Sequence, residues 1–313
     1  VEHKLSAKDK RLKGLSMNPM MMGRLRKLAS GEAREAGDKD TCCYHWFDYC
    51  SGRPLLADVG NTDTLGEQTP ICAPTLSGQG WTPSLSCRHT PQPAVGKAWL
   101  GDARHEHASI AAFAAQTLEL LRAGAPSDLV AKSAQACRDE TAHATACFGL
   151  AAHHLGQAVK PGPLDYRPSL VRSREQLACA IFIEGCIGET IASLVAARAA
   201  AATTCPHTQA TLTAIADDEA RHAELAWASV AWLLGQGGRE VHDSLTSLLT
   251  RLAPQLEASQ VASRSDEDLT SYGRLGADAR RQARTDAWRE LIAPLARELL
   301  TCFGPSLPTD TRA

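Results

Sequence analysis

Residues 139–143 read DETAH and residues 218–222 read DEARH, so the pattern Asp-Glu-x-x-His is written twice, 79 residues apart, each time in an alanine-rich run. In an α-helix, residues three apart share a face. Glu140 with His143, and Glu219 with His222, therefore each present a carboxylate and an imidazole together. Both pairs lie among apolar residues: Cys147, Leu150 and Leu155 follow the first, and Leu212, Ile215, Leu225 and Trp232 flank the second. A carboxylate pointed into a core is costly unless it is paired, protonated or bound to a metal. Four such groups directed at one another make metal binding the least costly account.

Apolar residues recur at three- and four-residue spacing through the middle of the chain, which predicts helices over 98–123, 127–155, 170–203 and 207–234. Gly124, Gly156, Pro206 and Gly235 punctuate them, Ser127 is the expected N-cap of the second, and the segment KPGPLDYRPS reads as a loop. Two more helical stretches are expected at 239–258 and 275–302, while PQPAVG at 91–96 reads as a linker. The chain thus divides into residues 1–97, a basic arm and an irregular Cys-, Pro- and Gly-bearing segment; 98–235, the helical core region; and 236–313, a helical extension.

The helices before each motif carry further acids. Glu106 lies 34 residues before Glu140, and Glu184 and Glu189 lie 35 and 30 residues before Glu219. Antiparallel helices joined by a short loop bring positions so separated to one height. Each half then offers a Glu and a Glu-x-x-His.

That constellation resembles the ferritin-like di-iron and di-manganese carboxylate proteins over about residues 98–235. The flanks, with CCYHWFDYCSGRPLL and SYGRLGADAR, resemble a bacterial subgroup of ferritin-like domain proteins. The resemblance implies an all-α fold, a ferritin-like four-helix bundle, holding two iron ions, or manganese, on Glu106, Glu140, His143, Glu219, His222 and one Glu of the third helix. The likeness of EHASIAAF to ETIASLVA matches Glu106 to Glu189, whereas repeat arithmetic matches it to Glu184. Glu-x4-Glu on this helix also resembles di-iron tRNA hydroxylases, in which the second Glu is expected to bind. Glu189 is favoured, with Glu184, about 140° around an α-helix from it, left either as an outer contact to the ligands or as a carboxylate that shifts onto the metal. Metal-bound histidines usually pass their other N–H to a carboxylate, so Asp218 is expected to hold His143, and Asp139 to hold His222.

Other features carry plainer readings. His105 and His107 are expected at the rim, Glu224 in solvent, and Trp227 and Trp232 in packing. Tyr44, His45, Trp46, Phe47 and Tyr49 are expected to pack on the mouth of the bundle. Net charge is −2, from 33 Lys and Arg against 35 Asp and Glu, and sets up no field for nucleic acid. No run of about 18 uninterrupted apolar residues marks a membrane span. Cys137, Cys147, Cys179, Cys186, Cys205 and Cys302 read as small buried hydrophobes. With no apolar signal segment at the N-terminus they suggest the cytoplasm, while Cys42, Cys43, Cys50, Cys72 and Cys87 suggest an oxidising, exported setting.

Mixed carboxylate and imidazole donors suit iron or manganese, and bridging carboxylates would set two ions about 3.5–4 Å apart. The expected function is an oxidase or oxygenase using O2 or peroxide on a small-molecule or peptide substrate, with an electron donor as partner. The alternatives are a ferroxidase or iron-storage role, peroxide removal, or a structural bundle with a relic or stabilising metal; the CxxC pairs of rubrerythrin-like iron sites are missing. The sequence leaves the oligomeric state open.

Overall fold

The computed structural model describes residues 71–83, 89–166, 172–257 and 269–304. Expectations for the basic arm, for Cys42, Cys43, Cys50 and Cys87, and for the aromatic run from Tyr44 to Tyr49 lie outside these residues. The fold is all-α. Helix α1 is Pro93–Ala123, α2 is Ser127–Leu155, α3 is the continuous run Arg174–Ala202, and α4 is Pro206–Glu257. A C-terminal helical run, α5, joins Ala277–Ala287, Trp288–Ile292 and Ala293–Phe303. Strands β1 (Thr75–Ser77) and β2 (Val159–Pro161) pair antiparallel, Leu76 opposite Lys160.

The helix ends follow local chemistry. Gly124 and Gly156 close α1 and α2 in the left-handed conformation, φ 76° and 68°, which glycine enters without a Cβ penalty. Ser173 caps α3 by accepting from the Gln176 N–H, while Gln176 accepts in return from the Ser173 N–H. Several expected boundaries shift. Pro93 to Gly96 form the first turn of α1 rather than a linker: Pro suits that position, and Val95 is fully buried. Pro126, not Ser127, occupies the N-cap of α2, and Ser127 begins the helix. The expected break near 235–238 is present as a kink at Gly238 (φ 61°, ψ −135°) within α4. The expected loop after α2 opens with β2, whose partner strand supplies its backbone hydrogen bonds.

α1 packs chiefly on α2 and α3 on α4, and α2 meets α4 where the two hairpins face each other. Gly96 lies against Leu155, so the start of α1 abuts the end of α2. Trp99, Phe113, Phe148, Phe182 and Trp288 are fully buried among these helices, each worth about 1.5–3 kcal/mol of apolar transfer. α3 is buried on every side from residue 177 to residue 196. It is long and apolar enough to cross a membrane by length and composition, yet its most apolar window is wholly covered by protein. The cover comes from α4 on one side and α5 on the other, pinned by Arg198 to Asp286 at 2.5 Å. On the far side of α1, Ala108 and Ala112 are roofed by Ile71, Cys72, Leu164 and Tyr166, and Arg104 Nε donates to Ala73 O at 3.0 Å.

Candidate metal centre

α1 contributes Glu106, α2 Glu140 and His143, α3 Glu189, and α4 Glu219 and His222. The four carboxylates are 0% exposed and the two imidazoles 3%. Glu106, Glu140, His143 and Glu219 form one group of donors lying within 4.8 Å of one another; Glu189, Glu219 and His222 form a second. Glu219 belongs to both. Glu140 also reaches both histidines, its Oε1 standing 3.8 Å from His143 Nδ1 and 3.1 Å from His222 Nδ1. Glu219 matches it, with oxygens 3.8 Å from His143 Nδ1 and 3.4 Å from His222 Nδ1. Glu106 lies beside His143, at 3.7 Å. The arrangement has two ends and a shared middle.

The imidazoles are oriented from outside. His143 Nε2–H donates to Asp218 Oδ2 at 2.9 Å, and His222 Nε2–H donates to Asp139 Oδ2 at 3.3 Å. Each histidine is thus bonded across to the other motif's Asp, the pairing expected from the sequence. Nδ1 of both rings faces the carboxylates. Arg221, on the surface of α4, pairs with Asp218 and lies 3.6 Å from Asp139. Neither Asp is a solvent-facing acid; both are half-buried.

Glu184 is also buried but falls in neither donor group. The helix between it and Glu189 is not α-helical. Phe182–Glu189 is a π-helical turn, whose hydrogen bonds close one residue later than in an α-helix. A five-residue step there is closer to one full turn than in an α-helix, and both glutamates are buried, but only Glu189 joins the donors. His105 and His107 are half-buried at the rim: His105 Nδ1 bonds Gly101 O at 2.8 Å, and His107 meets the edge of Trp81 at 5.2 Å. Trp227 packs on Phe182, ring centres 5.6 Å apart. Glu224 is half-buried rather than solvent-facing, and Cys302 is exposed rather than a core residue, because it sits in the last turn of α5.

The electrostatics of the cluster are those of charge crowded out of water. Burial, then repulsion from Glu219 and Glu106, pushes the Glu140 carboxyl well above its ordinary range. Glu189 is pushed up by burial and then by Glu219. Burial also acts to raise Glu219, but the neighbouring Glu189 and His222 outweigh it and hold its pKa at about 2. Burial acts to lower His222, and Asp139 and Glu219 outweigh it, taking it to about 10.

A pair of divalent cations fits these residues. Both oxygens of Glu106, Glu140, Glu189 and Glu219, and Nδ1 of both histidines, are buried without a hydrogen-bond partner. Orphaned buried acceptors cost about 1–3 kcal/mol each, more when charged. Four carboxylates and two neutral imidazoles balance two divalent ions in charge, and the donor set suits iron or manganese. Cys147 stands nearby, where burial, then Glu106, Glu140 and Glu219, pushes its thiol up, and it belongs to neither donor group.

The sequence did not reveal three features around the centre: the π turn of α3, the Arg221 contacts, and an ion pair between Asp102 and Arg274 beside Trp99. A signal for Arg221 existed in the motif itself, since DEARH places Arg where DETAH has Ala142. No protein-family model, curated protein or solved structure matches the chain.

Proposed function

We propose that α1 to α4 form a ferritin-like four-helix bundle holding two iron or manganese ions, and that the protein is an O2-dependent oxidase or oxygenase. The observation that carries this reading is the set of six buried ligating side chains from four helices, whose inward donor atoms have no other partner. When bound, the metal pair supplies two electrons and the Lewis acidity by which O2 is reduced. Glu106 and His143 would hold one ion and Glu189 and His222 the other, with Glu140 and Glu219 standing between them. Asp218 and Asp139 fix the imidazole planes and keep Nδ1 turned inward. Arg221 offsets the charge of the two aspartates. Burial of all six donors excludes water, which protects an oxidising centre from side reactions.

An enzyme is favoured over an iron store by the cover around the helices. Trp81 closes on His107 and Phe148, and α5 lies along α3. Such cover shields a site rather than venting mineral from it. Turnover then needs two electrons from an external donor and an organic substrate, small-molecule or peptide.

Reconstitution with ferrous ion under anaerobic conditions should give two irons per chain by elemental analysis. The His143→Ala, His222→Ala double variant should lose nearly all of it, and two irons retained there would reject the site. Stopped-flow mixing of the di-ferrous protein with O2 should then show one fast oxidation of the bound pair. Sustained oxidation of tens of further irons per chain into soluble mineral would instead establish the storage role.

A further inference from the structure

The centre has a neighbour that the assignment of ligands does not use. A cavity of about 20 Å³, space for one small molecule, lies between α1, α2, α3, α4 and the loop before α5. Glu106 and Cys147 form its inner end, and Ala196, Ala199, Leu212 and Ile215 form its sides. Trp99, Asp102 and Arg274 line the outer end.

We propose that this cavity binds an apolar diatomic molecule, dioxygen as co-substrate, directly beside the Glu106 end of the centre. The proposal rests on the reading of that centre as an oxygen-activating metal site. Three observations carry it. The side walls are aliphatic, and a water needs two to four polar partners to be held in such a space. Apart from Glu106, the polar groups present are committed or weak. Asp102 gives both oxygens to the Arg274 guanidinium, one at 3.0 Å, and Cys147 is a weak donor. Glu106, 0% exposed and without a hydrogen-bond partner, opens from the cavity toward the centre.

The outer wall is built to stay in place. Arg274 lies 4.9 Å over the Trp99 ring as well as on Asp102. Gly273 beside it has φ 80°, and a Cβ there would come within 2.8 Å of Leu212 Cδ1 and Thr208 Cγ2. The loop therefore sits directly on α4. The space is of a size for a two-atom molecule.

Crystals of the metal-free protein pressurised with xenon test the cavity without any chemistry. Xenon is expected beside Ala199 and Ile215. Ala199→Leu should fill the space, abolish the xenon site, keep two irons per chain, and slow oxidation of the di-ferrous protein by O2 at least about tenfold. Should Ala199→Leu fail to fold, Ala196→Val makes the same test with a smaller addition. A filled variant that keeps two irons and reacts with O2 at the wild-type rate overturns the proposal. Wild-type protein that binds two metals but takes no xenon overturns it alone. Wild-type protein that takes xenon but binds no metal overturns the metal-centre reading, and with it the role given to the cavity.

Discussion

Asp139 and Asp218 decide what His143 and His222 can do. A free imidazole can turn either nitrogen inward; a carboxylate on Nε2 leaves Nδ1 as the inward lone pair. The cost of burying each Asp is offset by the same contact. Burial acts to raise Asp218, and the His143 hydrogen bond outweighs it; His222 does the same for Asp139. Arg221 then ties the two acids, which come from different helices, into one unit. The Asp139→Asn and Asp218→Asn variants should fold and bind both metals with affinity weakened about 10–100-fold, the usual size of such an outer contact. Competition titration against a chromogenic chelator measures it. Affinity unchanged in both variants would show that the aspartates only decorate the helix surface.

Among the elements, α3 is the unusual one. A helix buried from residue 177 to residue 196 has no solvent face to orient it. Its register is set instead by polar contacts such as Ser193 Oγ donating to Ala216 O at 2.9 Å, and by the π turn. α1 and α2 are set by close approach. At Gly96 an added Cβ would stand 2.7 Å from Leu155 Cγ and 3.0 Å from the Leu155 nitrogen. Gly96→Ala should therefore cost about 1–3 kcal/mol through overpacking, despite alanine's better helix propensity. Adding Leu155→Ala should recover part of the loss, a coupling that urea unfolding of both single variants and the double would measure. Additive losses would mean the two helices are not in fact this close in solution.

For the whole molecule, the junction of α1 and α2 makes stability depend on pH. His154 accepts from the Gln92 N–H at 3.3 Å through Nδ1 and packs on His153 and Tyr272, ring centres 4.9 and 5.6 Å away. Burial, then His153 and His89, lowers its pKa from 6.5 to about 4. The native state binds this proton more weakly than the unfolded chain does. Its contribution is complete above the unfolded value and is lost as pH falls from 6.5 toward 4. Discounted for solvent screening, the loss is about 2 kcal/mol. His154→Gln, which keeps an acceptor for Gln92, should flatten that part of the profile when unfolding midpoints at pH 7 and pH 4.5 are compared. An equal fall in both proteins would place the sensitivity elsewhere.

The sequence by itself determined the helices and most of the candidate ligands. Helical periodicity and glycine stops are local, and a Glu three residues from a His faces the same way in any helix. The repeat of the motif extended that logic to Asp139 and Asp218, whose cross-pairing follows once two identical helices face each other. Local rules also misread positions where tertiary contact prevails: Pro93 to Gly96 look like a linker until Gly96 is seen against Leu155. The choice between Glu184 and Glu189 could not be made from spacing, because spacing assumes α-helical turns. The tertiary fold places a π turn there and sets Glu189, not Glu184, among the donors. Arg274, 172 residues from Asp102, lines the cavity beside Glu106 only because α5 and its leading loop fold back over the earlier helices. Contacts of that range are fixed by packing and leave no periodic mark on the chain.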